Sequence, residues 1–192
     1  MHQINIKCDF SLGGVTFIYR KQGFVPRIEN MNFITANYGD FIFHRLNFSI
    51  DDHDFIIIFS EVVMLENGGT SSFSNDDVGF IIPANTYEVK FDRAENFRND
   101  LYFELPTAEY SKLGYQSLMR LGNALNIIIT NHYNKFKPRA YLSVAINTRL
   151  KMFYDRLCEN QDFDIPVEIK IDIGEGGRGY AIKTPRFYDT AA

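Results

Sequence analysis

The chain has no tryptophan, two cysteines and six prolines among 192 residues. Cys8 and Cys158 lie far apart, and Cys158 falls inside a helical pattern. A cysteine so placed acts as a small apolar residue rather than as half of a disulfide. No apolar run approaches the roughly 18 residues that a membrane span requires. Met1-His2-Gln3-Ile4 shows no basic region leading into an apolar one. A cytoplasmic protein with no membrane segment is the expectation. Basic charge is not in excess either: 20 Lys and Arg stand against 24 Asp and Glu, a net charge of −4. Nonspecific nucleic-acid binding depends on neutralising phosphates, so this balance argues against it. The charge is uneven, with 8 basic against 14 acidic residues in 1–100 and 12 against 10 in 101–192. Any small anion belongs with the second half.

Apolar residues are plentiful at 45%, among them 18 Phe and 11 Tyr. A chain of this length buries about 70% of its unfolded surface, enough to fold as one domain, 1–192, without metal or disulfide. Residues 1–100 read as a strand-rich acidic half. Ile4–Cys8 alternates, Gly13-Gly14 turns, and Val15–Tyr19 follows. Phe41-Ile42-Phe43 and Phe48-Ser49-Ile50 flank a polar stretch. Phe55–Phe59 is apolar throughout, as in a strand covered on both faces. Ser74–Asp77 reads as a loop, and Gly79–Ile82 and Tyr87–Phe91 as further strands, before a polar break at 92–100.

The second half reads as β-α-β-α-β-β. A strand at Leu101–Leu105 ends at Pro106, and Thr107 caps a helix reaching Phe136. Leu118, Leu121, Leu125, Ile128 and His132 form its apolar stripe. Lys137-Pro138 stops it. Ala140–Ile146 is a near-apolar strand, and Asn147 or Thr148 opens a second helix faced by Leu150, Phe153, Tyr154 and Leu157. Val167–Ile173 and Arg178–Thr184 close as a hairpin. The fold class is α+β: a mixed, largely antiparallel sheet with two main helices.

Several chemical motifs dissolve on inspection. Gly174-Glu175-Gly176-Gly177-Arg178-Gly179 spells a dinucleotide fingerprint, but that motif needs a helix after it. Here a strand follows, so a hairpin loop is expected. Asp51-Asp52-His53-Asp54 clusters hard ligands, yet neighbours along an extended chain point away from one another. A solvated turn and no metal is the reading. His132 lies on a helical stripe, where a hydrogen-bonded core histidine is expected. No nucleophile elbow or triad spacing is present.

The order strand, helix, strand, helix over 101–157, with Asn147-x-x-Leu150-x-x-Phe153-Tyr154 opening the last helix, resembles the C-terminal half of the GNAT-type N-acyltransferase superfamily. That resemblance implies transfer of an acyl group from acetyl-CoA or another acyl-CoA to an amine. Asn147 would lie near the pantetheine arm, and the backbone of Tyr141, Ser143 and Ala145 would hold the cofactor. Tyr154 would be the general acid that protonates the departing thiolate. Where the family places its pyrophosphate loop, Arg/Gln-x-x-Gly-x-Gly/Ala, this chain has residues 106–114 with one glycine. A function of another class is a non-catalytic interaction module, such as a mobile-element accessory or inhibitor protein. It would dock a basic protein partner on its acidic, aromatic-rich first half.

Overall fold

Phe55–Phe59 has no polar side to offer water, and it forms the interior of a sheet. In a computed structural model, residues 8–12, 15–19, 31–38, 41–63, 72–104, 113–160 and 163–189 are described. The strands are β1 (Cys8–Leu12), β2 (Val15–Tyr19), β3 (Ile34–Tyr38), β4 (Phe41–Ile50), β5 (His53–Glu61), β6 (Thr86–Arg93), β7 (Ala140–Val144), β8 (Glu168–Ile173) and β9 (Gly179–Lys183). The helices are α1 (Asn75–Val78), α2 (Ala94–Arg98), α3 (Tyr115–Phe136) and α4 (Thr148–Asn160). β1 and β2 pair as an antiparallel hairpin across Leu12 and Val15. The other seven strands form one sheet in the order β3-β4-β5-β6-β7-β9-β8, in which only β6 and β7 run parallel. The fold is α+β, with a mixed and largely antiparallel sheet. Among the described residues no helix is long and apolar enough to cross a membrane.

Alternation assigns each strand residue to a face. Leu46, Phe48 and Ile50 of β4 and Phe55, Ile57 and Phe59 of β5 pack against Leu121, Leu125 and Ile128 of α3. Gly122 brings α3 and α4 together, since a Cβ there would come within 2.6 Å of Leu157. The opposite face carries a smaller core of Phe73, Val78, Ile82, Leu142, Ile173 and Ala181. Lys137 ends α3 in the left-handed conformation and donates its N–H to Tyr133 O at 2.8 Å.

Four local expectations are corrected. The polar stretch within Phe41–Ile50 does not break the strand, because Arg45 and Asn47 point away from the core. Ser74–Asp77 is not a loop: Ser74 caps α1, accepting from Asp77 N while Asp77 accepts from Ser74 N. Gly79 is that helix's left-handed C-cap, so Gly79–Ile82 is not a strand. Leu101–Glu104 is a turn with Phe103 at φ 60°, its N–H donated to Asp92 at 2.7 Å. The ring of Phe97 packs edge-on against both Tyr102 and Phe103. The parallel neighbour of β7 is β6. α3 starts at Tyr115 with Gly114 as N-cap; the expected cap at Thr107 and the expected strand at Ile4–Ile6 lie outside the described residues.

The glycine string folds as the expected hairpin loop, with Gly174, Gly176 and Gly177 at positive φ around a short 3-10 turn. Gly179 follows as the first residue of β9. A Cβ on it would lie 2.4 Å from Phe73, 2.7 Å from Ile173 O and 2.8 Å from Ile173 Cγ1. One of these atoms is backbone and cannot swing aside. Gly179→Ala is expected to lower stability by about 1–3 kcal/mol, the cost typical of overpacking. A urea melt checks it, and an unchanged midpoint refutes it.

Candidate functional site

β6 and β7 run parallel for only three pairs, Thr86–Ala140, Tyr87–Tyr141 and Glu88–Leu142. Beyond them each strand stays with its outer neighbour. Val89 to Arg93 remain on β5, and Ser143 and Val144 remain on β9. The two strands part. At the fork the Ser143 hydroxyl donates to Val89 O at 3.0 Å, a side-chain bond in place of the next ladder bond.

The fork opens a cleft of about 590 Å³. On one face it is walled by Phe91, by Leu118 and Leu121 of α3, and by Phe153 and Tyr154 of α4. On the other it is walled by Glu88, Lys90, Phe103, Ile173 and Arg178. The cleft thus passes through the sheet. A ligand entering from the helix side can be met by a second molecule from the other.

Tyr154 lies half-buried, two turns into α4. Its ring stands edge-on to Tyr180 at 5.2 Å and lies 6.1 Å from Phe91. The Ser143 side chain stands beside it. Burial pushes its phenol up to about 12, with the neighbouring Ser143 hydroxyl opposing and Cys158 adding slightly. The side chain holds its proton at neutral pH.

Asn147 is the cap of α4: its Oδ1 accepts from Leu150 N at 3.0 Å, leaving the amide N–H groups free to reach the cleft wall on which it lies. Ala145 is buried, its N–H donated to Arg178 O at 2.9 Å, so that amide is taken. Tyr141 is not at the cleft. It lies in the zipped part of the pair, flanked by Tyr87 and Ile182, and its hydroxyl reaches 3.0 Å from His132 in the core. The structure thus brings Asn147, Ser143 and Tyr154 to the fork and leaves Tyr141 below it.

Glu88 escaped the sequence reading. It is half-buried, accepts from Ser72 Oγ at 2.8 Å and pairs with Lys90 at 3.2 Å. The other cleft carboxylates differ. Asp92 already accepts from Arg93 N, Asn96 Nδ2 and Phe103 N, while Glu104 and Glu175 are exposed. The signal was the charged alternation of Glu88 and Lys90 within Tyr87–Phe91. Charges along one side of an interior strand mark a face that the core does not cover.

No family model, curated protein or solved structure matches this chain. Function therefore rests on the cleft's own chemistry.

The acidic cluster at 51–54 is tied into the fold. Ser117 donates to Asp51 at 2.6 Å, and Arg120 bridges to the same carboxylate, which they hold below the usual range. Ser49 donates to Asp54 at 2.8 Å. Among the described residues no group of three potential ligands could hold a metal.

Proposed function

We propose that the forked cleft binds acetyl-CoA or another acyl-CoA and that the protein transfers its acyl group to an amine. One observation carries this reading. A parallel strand pair opens above a tyrosine that keeps its proton, and a carboxylate stands on the far side of the opening.

The residues present fit such a cofactor. α3 is a 22-residue helix whose N-cap, Gly114, makes no side-chain cap bond, and a Cβ on it would meet nothing within 4 Å. The first N–H groups of a helix have no partner inside it and suit a diphosphate. Leu113 and Leu118 put this helix end on the cleft. Arg149, exposed in the first turn of α4, adds a positive charge on the same wall. The edges of β6 and β7 left unpaired at the fork present backbone groups to an amide-bearing arm.

Bound acyl-coenzyme A supplies an activated thioester. Glu88 takes the proton that a cationic amine must lose before it can attack. The sheet holds Glu88 and Tyr154 on opposite faces, so the acceptor meets the base on one side and the leaving sulfur meets the acid on the other. Tyr154 passes its phenolic proton to that sulfur and draws one back through solvent. The apolar wall of Phe91, Leu118 and Phe153 excludes water that would compete with the amine. General acid and base terms of this kind contribute typically 10²–10⁴-fold each. A reducing cytoplasm is the compartment assumed.

Thermal unfolding with and without acetyl-CoA tests the reading. At 100 times the dissociation constant the ligand adds about 2.7 kcal/mol, which in a protein of this size raises Tm by about 5–10 °C. No shift at millimolar cofactor removes the enzymatic reading and leaves a non-catalytic module with a protein partner.

A further inference from the structure

Behind Tyr154, away from the cleft mouth, lies a second space of about 70 Å³. Its wall is almost wholly carbon: Val89, Leu125, Ile129, Leu142 and Leu157 contribute, with the Cys158 thiol at the α4 side. Phe91 and Tyr154 line both this cavity and the cleft. Ser143 also stands on its wall.

We propose that this cavity receives the acyl chain and selects short acyl groups of three or four carbons over acetyl and over longer chains. The inference rests on the acyl-CoA reading of the cleft. If the thioester sulfur lies at the Tyr154 hydroxyl, the acyl carbon is one bond away, and the adjoining apolar space is this cavity. A dry cavity of about 150 Å³ lined by Leu, Ile and Phe holds a six-carbon ring. Half that volume accommodates about three carbons, the number that butyryl carries beyond its carbonyl. A void this small, with almost no polar surface on its wall, offers water little to bond to, so filling it with methylenes is favourable. Acetyl leaves most of it empty, and hexanoyl overfills it. Each methylene buried is worth about fourfold in affinity.

Calorimetric titration with free coenzyme A and with acetyl-, propionyl-, butyryl- and hexanoyl-coenzyme A is the test. Kd is expected to fall about fourfold at each step from acetyl to butyryl and to rise again at hexanoyl. Cys158→Phe, which fills the cavity from a helix that has no buried residues, is expected to abolish that gradient and leave free coenzyme A affinity unchanged. Equal Kd for acetyl and butyryl in the wild type, with free coenzyme A still bound, overturns the cavity assignment but leaves the cleft reading standing. Binding of none of the five overturns both. A gradient that survives Cys158→Phe places the chain elsewhere and also overturns the assignment. Should that variant fail to melt cooperatively, Leu157→Ala enlarges the cavity instead. The affinity optimum should then move to hexanoyl, and an unmoved optimum refutes the proposal.

Discussion

Tyr154→Phe is expected to bind acetyl-CoA as the wild type does and to turn over roughly 10²–10⁴ times more slowly, the range for loss of one general acid. The variant is suited to the question because it disturbs little else. The Ser143 hydroxyl keeps its own bond to Val89 O, so no buried proton is left without an acceptor. The ring contacts with Tyr180 and Phe91 persist. Loss of the phenolic hydroxyl should cost no more than about 1 kcal/mol of stability, which a melt separates from a catalytic effect. The pH profile adds a second readout. With the phenol near 12, wild-type activity should show no alkaline limb from this group below pH about 11. Unchanged turnover in Tyr154→Phe removes the acid role. A parallel loss of cofactor affinity makes Tyr154 a packing residue.

The parts of this fold that could be read from sequence are those whose signal is local. The β5 run, the α3 stripe at Leu121, Leu125, Ile128 and His132, and the hairpin around Gly174–Gly179 each bury their own pattern, and each formed as expected. Errors arose where a short polar code competes with hydrophobic alternation. Ser74 and Asp77 form a reciprocal cap on a four-residue helix, too short to show any apolar period. Leu101–Leu105 alternates like a strand, yet its first residues turn because half-buried Asp92 collects the Phe103 N–H. The site was half legible. Asn147 and Tyr154 could be placed by their spacing on α4. Glu88 could not, because its place on the cleft depends on where the β6–β7 pairing stops. That register is decided by β5 and β9, which hold the two strands apart from outside.

Acid should destabilise the protein in a window that carboxylates alone do not explain. His44 Nδ1 and His132 Nε2 lie 2.8 Å apart across 88 residues of sequence, and His132 Nδ1 lies 3.0 Å from the Tyr141 hydroxyl. His132 is stacked on Phe59 at 3.8 Å and His44 on Phe136 at 3.6 Å. Both are buried, at 0% and 3% exposure. Tyr87 and Tyr141 face the pair, and Lys135 is the nearest charge. Burial first, then Lys135, pulls His44 down from 6.5 to about 4, and burial pulls His132 down further still. In the unfolded chain both take up a proton near pH 6.5, whereas the folded chain resists until about pH 4. Between those values the unfolded state binds more protons, so stability falls as pH falls. The difference of 2.5 pH units for His44 alone amounts to about 3 kcal/mol. Asp92, whose carboxyl burial raises, works in the opposite sense and offsets a little of the loss. Asp51 and Glu168, held low by their partners, begin to add their own losses only at the acid end of the window, as pH falls through their unfolded values of 3.8 and 4.5. Urea midpoints measured from pH 7 to pH 4 should therefore drop by the equivalent of about 3 kcal/mol for His44 and at least as much again for His132. The double variant His44→Phe/His132→Phe should stay flat over that range. Removing both partners together leaves no lone polar group between them, and the Tyr141 hydroxyl keeps Ile129 O at 3.3 Å. An equal acid loss in the double variant would mean that other groups carry the proton linkage.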